Sequence, residues 1–128
     1  VIVADDEQYN ITLFRNYLSK IEAEVVSAAG GDEAFEKWLA SQTGSRIDVV
    51  ISDIDMPKCD GKALCKRVRD YEARMRINKC VIMMISGNDN ESVIKDLLNK
   101  EGEYRADLFL KKPISYEDLL FYFAKNFA

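Results

Sequence analysis

The sequence has 128 residues, enough for one domain with a single sizeable core and too few for two. Its 48% hydrophobic and 31% charged residues suit a water-soluble globular chain, and no run approaches the roughly 20 apolar residues of a membrane span, so neither a span nor a signal peptide is expected. A net charge of −4 disfavours nucleic acid and anionic lipid as partners, and the absence of histidine removes the usual general base. Cys59, Cys65 and Cys80, an odd number without C-x-x-C spacing, argue against a disulfide framework or zinc site and fit a reducing cytoplasm.

The chain opens at Val1 inside the apolar run VIVA (1–4), as a piece cut from a longer protein would. This run reads as a first strand and ends in Asp5-Asp6-Glu7. Phe14, Leu18 and Ile21 then recur with helical spacing. VVSAA (25–29) predicts a second strand, ending in Gly30-Gly31, and Ala34, Phe35, Trp38 and Leu39 mark a second helix. The third strand, IDVVI (47–51), runs into SDIDMPKCDG (52–61), where Asp60 is placed to cap a third helix with the stripe Leu64, Val68, Tyr71 and Met75. CVIMMI (80–85) predicts a fourth strand ending in Ser86-Gly87, followed by a short stripe of Ile94, Leu97 and Leu98. DLFL (107–110) predicts a fifth strand, ending in Lys111-Lys112-Pro113. Ser115 with Asp118 resembles a capping box ahead of Leu119, Leu120, Phe123 and Phe127. The apolar stripes, including the single Trp38, are read as core.

Continuous apolar strands alternating with helices predict an α/β domain with a parallel sheet, right-handed crossovers and helices on both faces. Ligands of such sheets bind beyond the carboxyl ends of the strands. Four of the five predicted strands deliver an ionic or hydroxyl group to that edge. Asp5, Asp6 and Asp53 would crowd three carboxylates together, which raises their proton affinity unless a hard cation relieves it. Mg2+, or Mn2+ in its place, suits such an oxygen-rich cup, and Lys112 and Ser86 are the donor types that would hold a phosphoryl group beside it. An aspartate in the cup can itself act as the nucleophile.

Four segments together, ADDE (4–7), SDIDMPKCDG (52–61), ISG (85–87) and LKKPI (110–114), resemble the receiver domains of two-component and phosphorelay response regulators, and the likeness covers residues 1–128. It implies a (βα)5, flavodoxin-like three-layer sandwich with strand order 2-1-3-4-5. Asp53 would be the phosphoacceptor, served by a histidine kinase or histidine phosphotransfer protein. Asp5 and Asp6 would hold the metal together with Asp53 and the backbone carbonyl of Asp55, whose side chain would face the mouth of the pocket. Ser86 would hydrogen-bond the phosphoryl group, Lys112 would neutralise it, and Phe109 would be the switch aromatic. Lys111 would point to the other side of the strand, and a cis Lys112–Pro113 bond is expected. The resemblance also implies a cytoplasmic module that is not a turnover enzyme, promotes transfer to and hydrolysis from its own aspartate, and is compatible with a phosphorylation-dependent dimer.

Two stretches depart from the family pattern: residues 99–109 are longer than its usual turn, and residues 69–80 lack its common proline. Cys59, in the loop beside the acceptor, could be an exposed thiol, but a redox role is not expected, because nothing except Lys58 is placed to lower its pKa. Three alternatives remain at this point. DIDMP is similar to the D-x-D nucleophile motif of haloacid-dehalogenase-like phosphatases, which place it on their first strand. A flavodoxin-like cofactor binder would need a first loop that attracts phosphate, whereas DDE repels it. A receiver-like module that is never phosphorylated would not need the full set of acids, hydroxyl and lysine.

Overall fold

A computed structural model describes residues 1–56, 59–88 and 90–127. Five strands alternate with five helices: β1 (Ile2–Ala4), α1 (Gln8–Ser19), β2 (Val26–Ala28), α2 (Gly31–Ser41), β3 (Val49–Asp53), α3 (Gly61–Met75), β4 (Val81–Ser86), α4 (Glu91–Leu98), β5 (Leu108–Lys111) and α5 (Tyr116–Phe127). All strand pairs are parallel, in the order β2-β1-β3-β4-β5. This is the expected doubly wound sandwich.

Alternation along the strands splits the core in two. Val3, Val49, Ile51, Met83 and Ile85 face Ile11, Phe14 and Leu18 of α1 and Leu119 and Phe123 of α5. Ile2, Ala4, Val50, Ile82 and Met84 face Trp38 of α2, Leu64 and Val68 of α3, and Leu97 of α4. Each fully buried side chain of this size contributes about 1.5–3 kcal/mol of transfer free energy, so both faces are needed. Two predicted stripes run past the core: Met75, at the end of α3, is 53% exposed, and Leu120 of α5 is also exposed. Ile21 lies beyond the end of α1, and the Phe127 side chain falls outside the described set.

Helix caps follow the sequence. The Asp60 carboxylate accepts the N–H of Ala63 at 2.9 Å, and the Ser115 hydroxyl accepts that of Asp118 at 3.1 Å. Gly61 sits so close to the end of β3 that an added Cβ would collide with the backbone oxygen of Asp53. Its N–H donates to Ile54 O at 2.8 Å.

Two further features frame the sheet. On the outer edge of β2, Arg15 donates to Val25 O at 3.2 Å and Lys37 to Ser27 O at 2.7 Å. At the amino-terminal ends of β4 and β5, Arg69 of α3, 2% exposed, donates to Glu72 Oε1 (2.7 Å), Asp107 Oδ2 (2.8 Å), Cys80 O (2.9 Å) and Arg105 O (3.0 Å). Glu72, equally buried, accepts the Cys80 N–H, while Asp107 accepts the Ile82 N–H. This network ties the long 99–107 loop to α3, with help from the Cys65 thiol, which donates to Tyr104 O at 2.8 Å.

Candidate functional site

The carboxyl ends of β1, β3, β4 and β5 bring the predicted residues together. Asp5 and Asp6 follow β1, Asp53 ends β3, Ser86 ends β4, and Lys112 follows β5. Oxygens of Asp5, Asp6 and Asp53 lie within 4.8 Å of one another. Asp5 and Asp53 are buried, whereas Asp6 is exposed. Backbone pairing explains the placement: Asp5 N–H donates to Ala28 O at 3.0 Å, Ile54 N–H to Ile85 O at 3.0 Å, and Lys112 N–H to Ser86 O at 2.9 Å, so each loop is pinned just beyond its strand. Glu7 N–H donates to Asp5 Oδ1 at 2.9 Å and fixes that carboxylate.

Lys112 Nζ reaches Asp53 Oδ2 at 3.1 Å and Asp5 Oδ2 at 3.4 Å. The Lys112–Pro113 bond is cis, as expected. Burial alone would lower the proton affinity of the lysine, but its contacts with Asp53 and Asp5 outweigh that and raise it. Asp53 does not show the mirror-image depression. Burial pushes its carboxyl up, and neither Lys112 nor the Asp55 N–H fully offsets this, while the Asp5 charge adds to it. One lysine is therefore too little for this cluster.

Three carboxylates with a single bonded lysine form an oxygen donor set short of positive charge, which is the chemistry that a hard divalent ion satisfies. The residues present fit Mg2+.

Ser86 is buried at the end of β4, and its Oγ accepts the Asn88 N–H at 3.0 Å, leaving its own proton to donate. Asp55 is exposed and lines a small cavity with Ser86. Phe109 is half-buried and packs against the core on the α2, α3 and α4 side. Lys111 is exposed.

The reading of Cys59 is corrected: it is buried, and burial raises its pKa despite the Arg67 guanidinium 3.9 Å away. The turn brings its carbonyl onto Gly31 N–H at 3.0 Å and folds the thiol inward. Lys58, invoked for its activation, lies outside the described residues, as does Pro57 of the motif. Lys62 and Asn88, which share the cavity with Ser86, were not anticipated. A cation in the first turn of a helix, where the dipole disfavours it, was the signal available for Lys62.

Residues 1–123 match the response regulator receiver domain. The chain belongs to that family. It is a signalling domain of two-component systems and not a metabolic enzyme, and the phosphatase alternative is not favoured. Among curated relatives, this receiver domain is 30% identical over 115 residues to the alkaline phosphatase synthesis transcriptional regulatory protein PhoP of Bacillus subtilis, covering 90% of this chain and 42% of that protein. It is 28% identical over 119 residues to hybrid signal transduction histidine kinase L of Dictyostelium discoideum, covering 93% of this chain and 7% of that one. The chain thus spans less than half of either relative. A solved structure of the CheX–CheY–BeF3–Mg2+ complex from Borrelia burgdorferi superimposes with a TM-score of 0.84 at 26% identity, over 99% of this chain and 87% of that one. Among the described residues, no helix is long and apolar enough to cross a membrane.

Proposed function

We propose that this receiver domain takes a phosphoryl group from a phosphohistidine of a histidine kinase or phosphotransfer protein onto Asp53, in the cytoplasm. The observation that supports this best is the contact of Lys112 Nζ with Asp53 at 3.1 Å, beside the two further carboxylates of Asp5 and Asp6. A cluster so short of positive charge is poised for an incoming ion and phosphoryl group rather than for stability.

Asp6, Asp5, Asp53 and the Asp55 carbonyl would hold Mg2+, with Mn2+ a substitute. When bound, the metal supplies charge neutralisation at the carboxylates and a fixed position for a phosphoryl oxygen. An oxygen of Asp53 attacks phosphorus, the new O–P bond forms as the N–P bond to the donor imidazole breaks, and the electron pair leaves with the imidazole. Lys112 holds its proton throughout and moves its hydrogen bond from the Asp53 carboxylate towards the phosphoryl oxygens. Ser86 donates its hydroxyl proton to another of those oxygens. Phe109, half-buried against the α4 side of the core, follows the hydroxyl and changes the surface around α4 and β5. Later hydrolysis of the acyl phosphate resets the domain.

The domain would work without nucleic acid or direct membrane contact, and its altered surface would be read by a partner or a second copy. The test is intact mass after incubation with acetyl phosphate and Mg2+. Wild type is expected to gain one phosphoryl group and Asp53→Asn none. Equal labelling of both would refute Asp53 as the acceptor.

A further inference from the structure

We propose that Lys62 is a second cationic contact for the phosphoryl donor, lining the cavity that it shares with Ser86 and acting while the donor enters. The proposal rests on the reading of Asp53 as acceptor.

Lys62 is the second residue of α3. A lysine there faces the positive end of the helix dipole, which disfavours its charge. Nothing local offsets it. Lys62 is half-buried, and among the described residues it makes no ion pair. The nearest candidate acid in sequence, Asp60, uses its carboxylate to cap Ala63. The stem of Lys62 can account for its half-burial, while its ammonium makes no ion pair among the described residues and stays available to an incoming anion.

The surroundings indicate what arrives. Lys62 lines a cavity of about 150 Å3 together with Ser86, Asn88 and the acids Asp55 and Asp60, and it is the cation of that lining. Ser86 is the hydroxyl assigned to a phosphoryl oxygen, so this cavity opens onto the space that the transferred group would occupy. Lys112 is already committed to Asp53 and Asp5. The site therefore has one lysine bound to the acceptor and another lining the adjoining cavity, and that small cavity shared by Lys62 and Ser86 is the size for the ionised oxygens of a phosphoryl group. Acyl phosphates and phosphohistidine present the same charged group. In the acetyl phosphate reaction, the bond from Asp53 oxygen to phosphorus forms, the bond from phosphorus to the acetate oxygen breaks, and acetate leaves with the electron pair. Lys62 stays protonated and contributes attraction alone.

The test measures the second-order rate of phosphoryl gain from acetyl phosphate by intact mass, at low and high salt, for wild type, Lys62→Arg, Lys62→Gln and Lys62→Glu, with Asp53→Asn as the control. Removing one partly solvated charge contact should slow the Gln variant about two- to five-fold at low salt. The Glu variant should be slower still and the Arg variant close to wild type, with the differences shrinking at high salt as screening takes over. Thermal midpoints of the Gln and Glu variants should not fall below that of wild type, since the lysine has no ion pair to lose and its charge opposes the helix dipole. A Gln variant as fast as wild type, or a rate loss independent of salt and of the sign of the substituted charge, overturns the role of Lys62 while leaving Asp53 as acceptor. Wild type that gains no phosphoryl group, or gains it equally in Asp53→Asn, overturns both.

Discussion

Replacing Arg69 by methionine should destabilise the domain by about 3–5 kcal/mol, because it removes one partner from a buried ionic network. Four hydrogen bonds are lost: two to carboxylates, at 2.7 Å on Glu72 and 2.8 Å on Asp107, and two to the backbone carbonyls of Cys80 and Arg105. Asp107 suffers less, since it is 31% exposed and keeps Lys100 at 3.5 Å. Glu72 is left 2% exposed, with Arg46 at 3.4 Å and the Cys80 N–H as its remaining partners among the described residues. Methionine preserves the apolar stem and most of the volume, so the loss reports charge and hydrogen bonding rather than a cavity. Urea unfolding followed by the fluorescence of Trp38, the single tryptophan, measures it. The double variant Arg69→Met/Glu72→Met should recover at least about 1 kcal/mol of the single variant's loss, because it no longer buries an uncompensated carboxylate. Since the network lies at the opposite end of the strands from Asp53, the folded variant should still take up a phosphoryl group. A single variant costing less than about 1 kcal/mol, or a double variant costing the sum of both singles, would refute the reasoning.

Gly61→Ala should force α3 away from the end of β3, destabilise the fold by about 1–3 kcal/mol and slow labelling of Asp53, whose backbone oxygen the new methyl would strike; an unchanged melting midpoint and labelling rate would contradict this. Asp6→Asn should leave the metal-free melting midpoint within a few degrees of wild type but reduce the rise that millimolar Mg2+ produces, as followed by calorimetry; an undiminished rise would remove Asp6 from the metal set. The native thiols should be nearly silent to a disulfide reagent at pH 8, with all three reacting in urea, since burial pushes Cys65 up to about 12 and also raises Cys59 and Cys80. These groups hold their protons more tightly folded than unfolded. Their stabilising contribution is therefore complete below the unfolded value near 9 and is lost as pH rises towards about 12, so unfolding free energy should fall across that window; a flat profile above pH 9 would count against the burial.

β1, β3 and β4 were legible because each is a short apolar run that both layers of helices cover, whereas β2 at the edge, with Val26 exposed, was legible from its apolar run alone. The site was legible for a related reason: Asp5, Asp6, Asp53, Ser86 and Lys112 each stand directly after an apolar run, where a parallel sheet gathers them at one rim. Helix stripes were read less well. Period alone carried Met75 and Leu120 into the core, although the helix turns or ends before they reach it. The Arg69 network was missed because charged residues are read as solvent-facing, yet Arg69 and Glu72 follow Cys65 at i+4 and i+7, on the inward face of α3. Cys59 was misjudged since a loop position says nothing of which way a turn folds its side chain.

The outer border of β2 shows how this domain avoids unwanted company. Its outward carbonyls at Val25 and Ser27 are already occupied by the side chains of Arg15 and Lys37, and the strand is only three residues long. A neighbouring polypeptide finds no free acceptors there to zip onto. Crowded signalling assemblies could thus pack many copies side by side without fibrous aggregation through this flank, and encounters between molecules are steered to helical surfaces, which release more readily than a growing ladder.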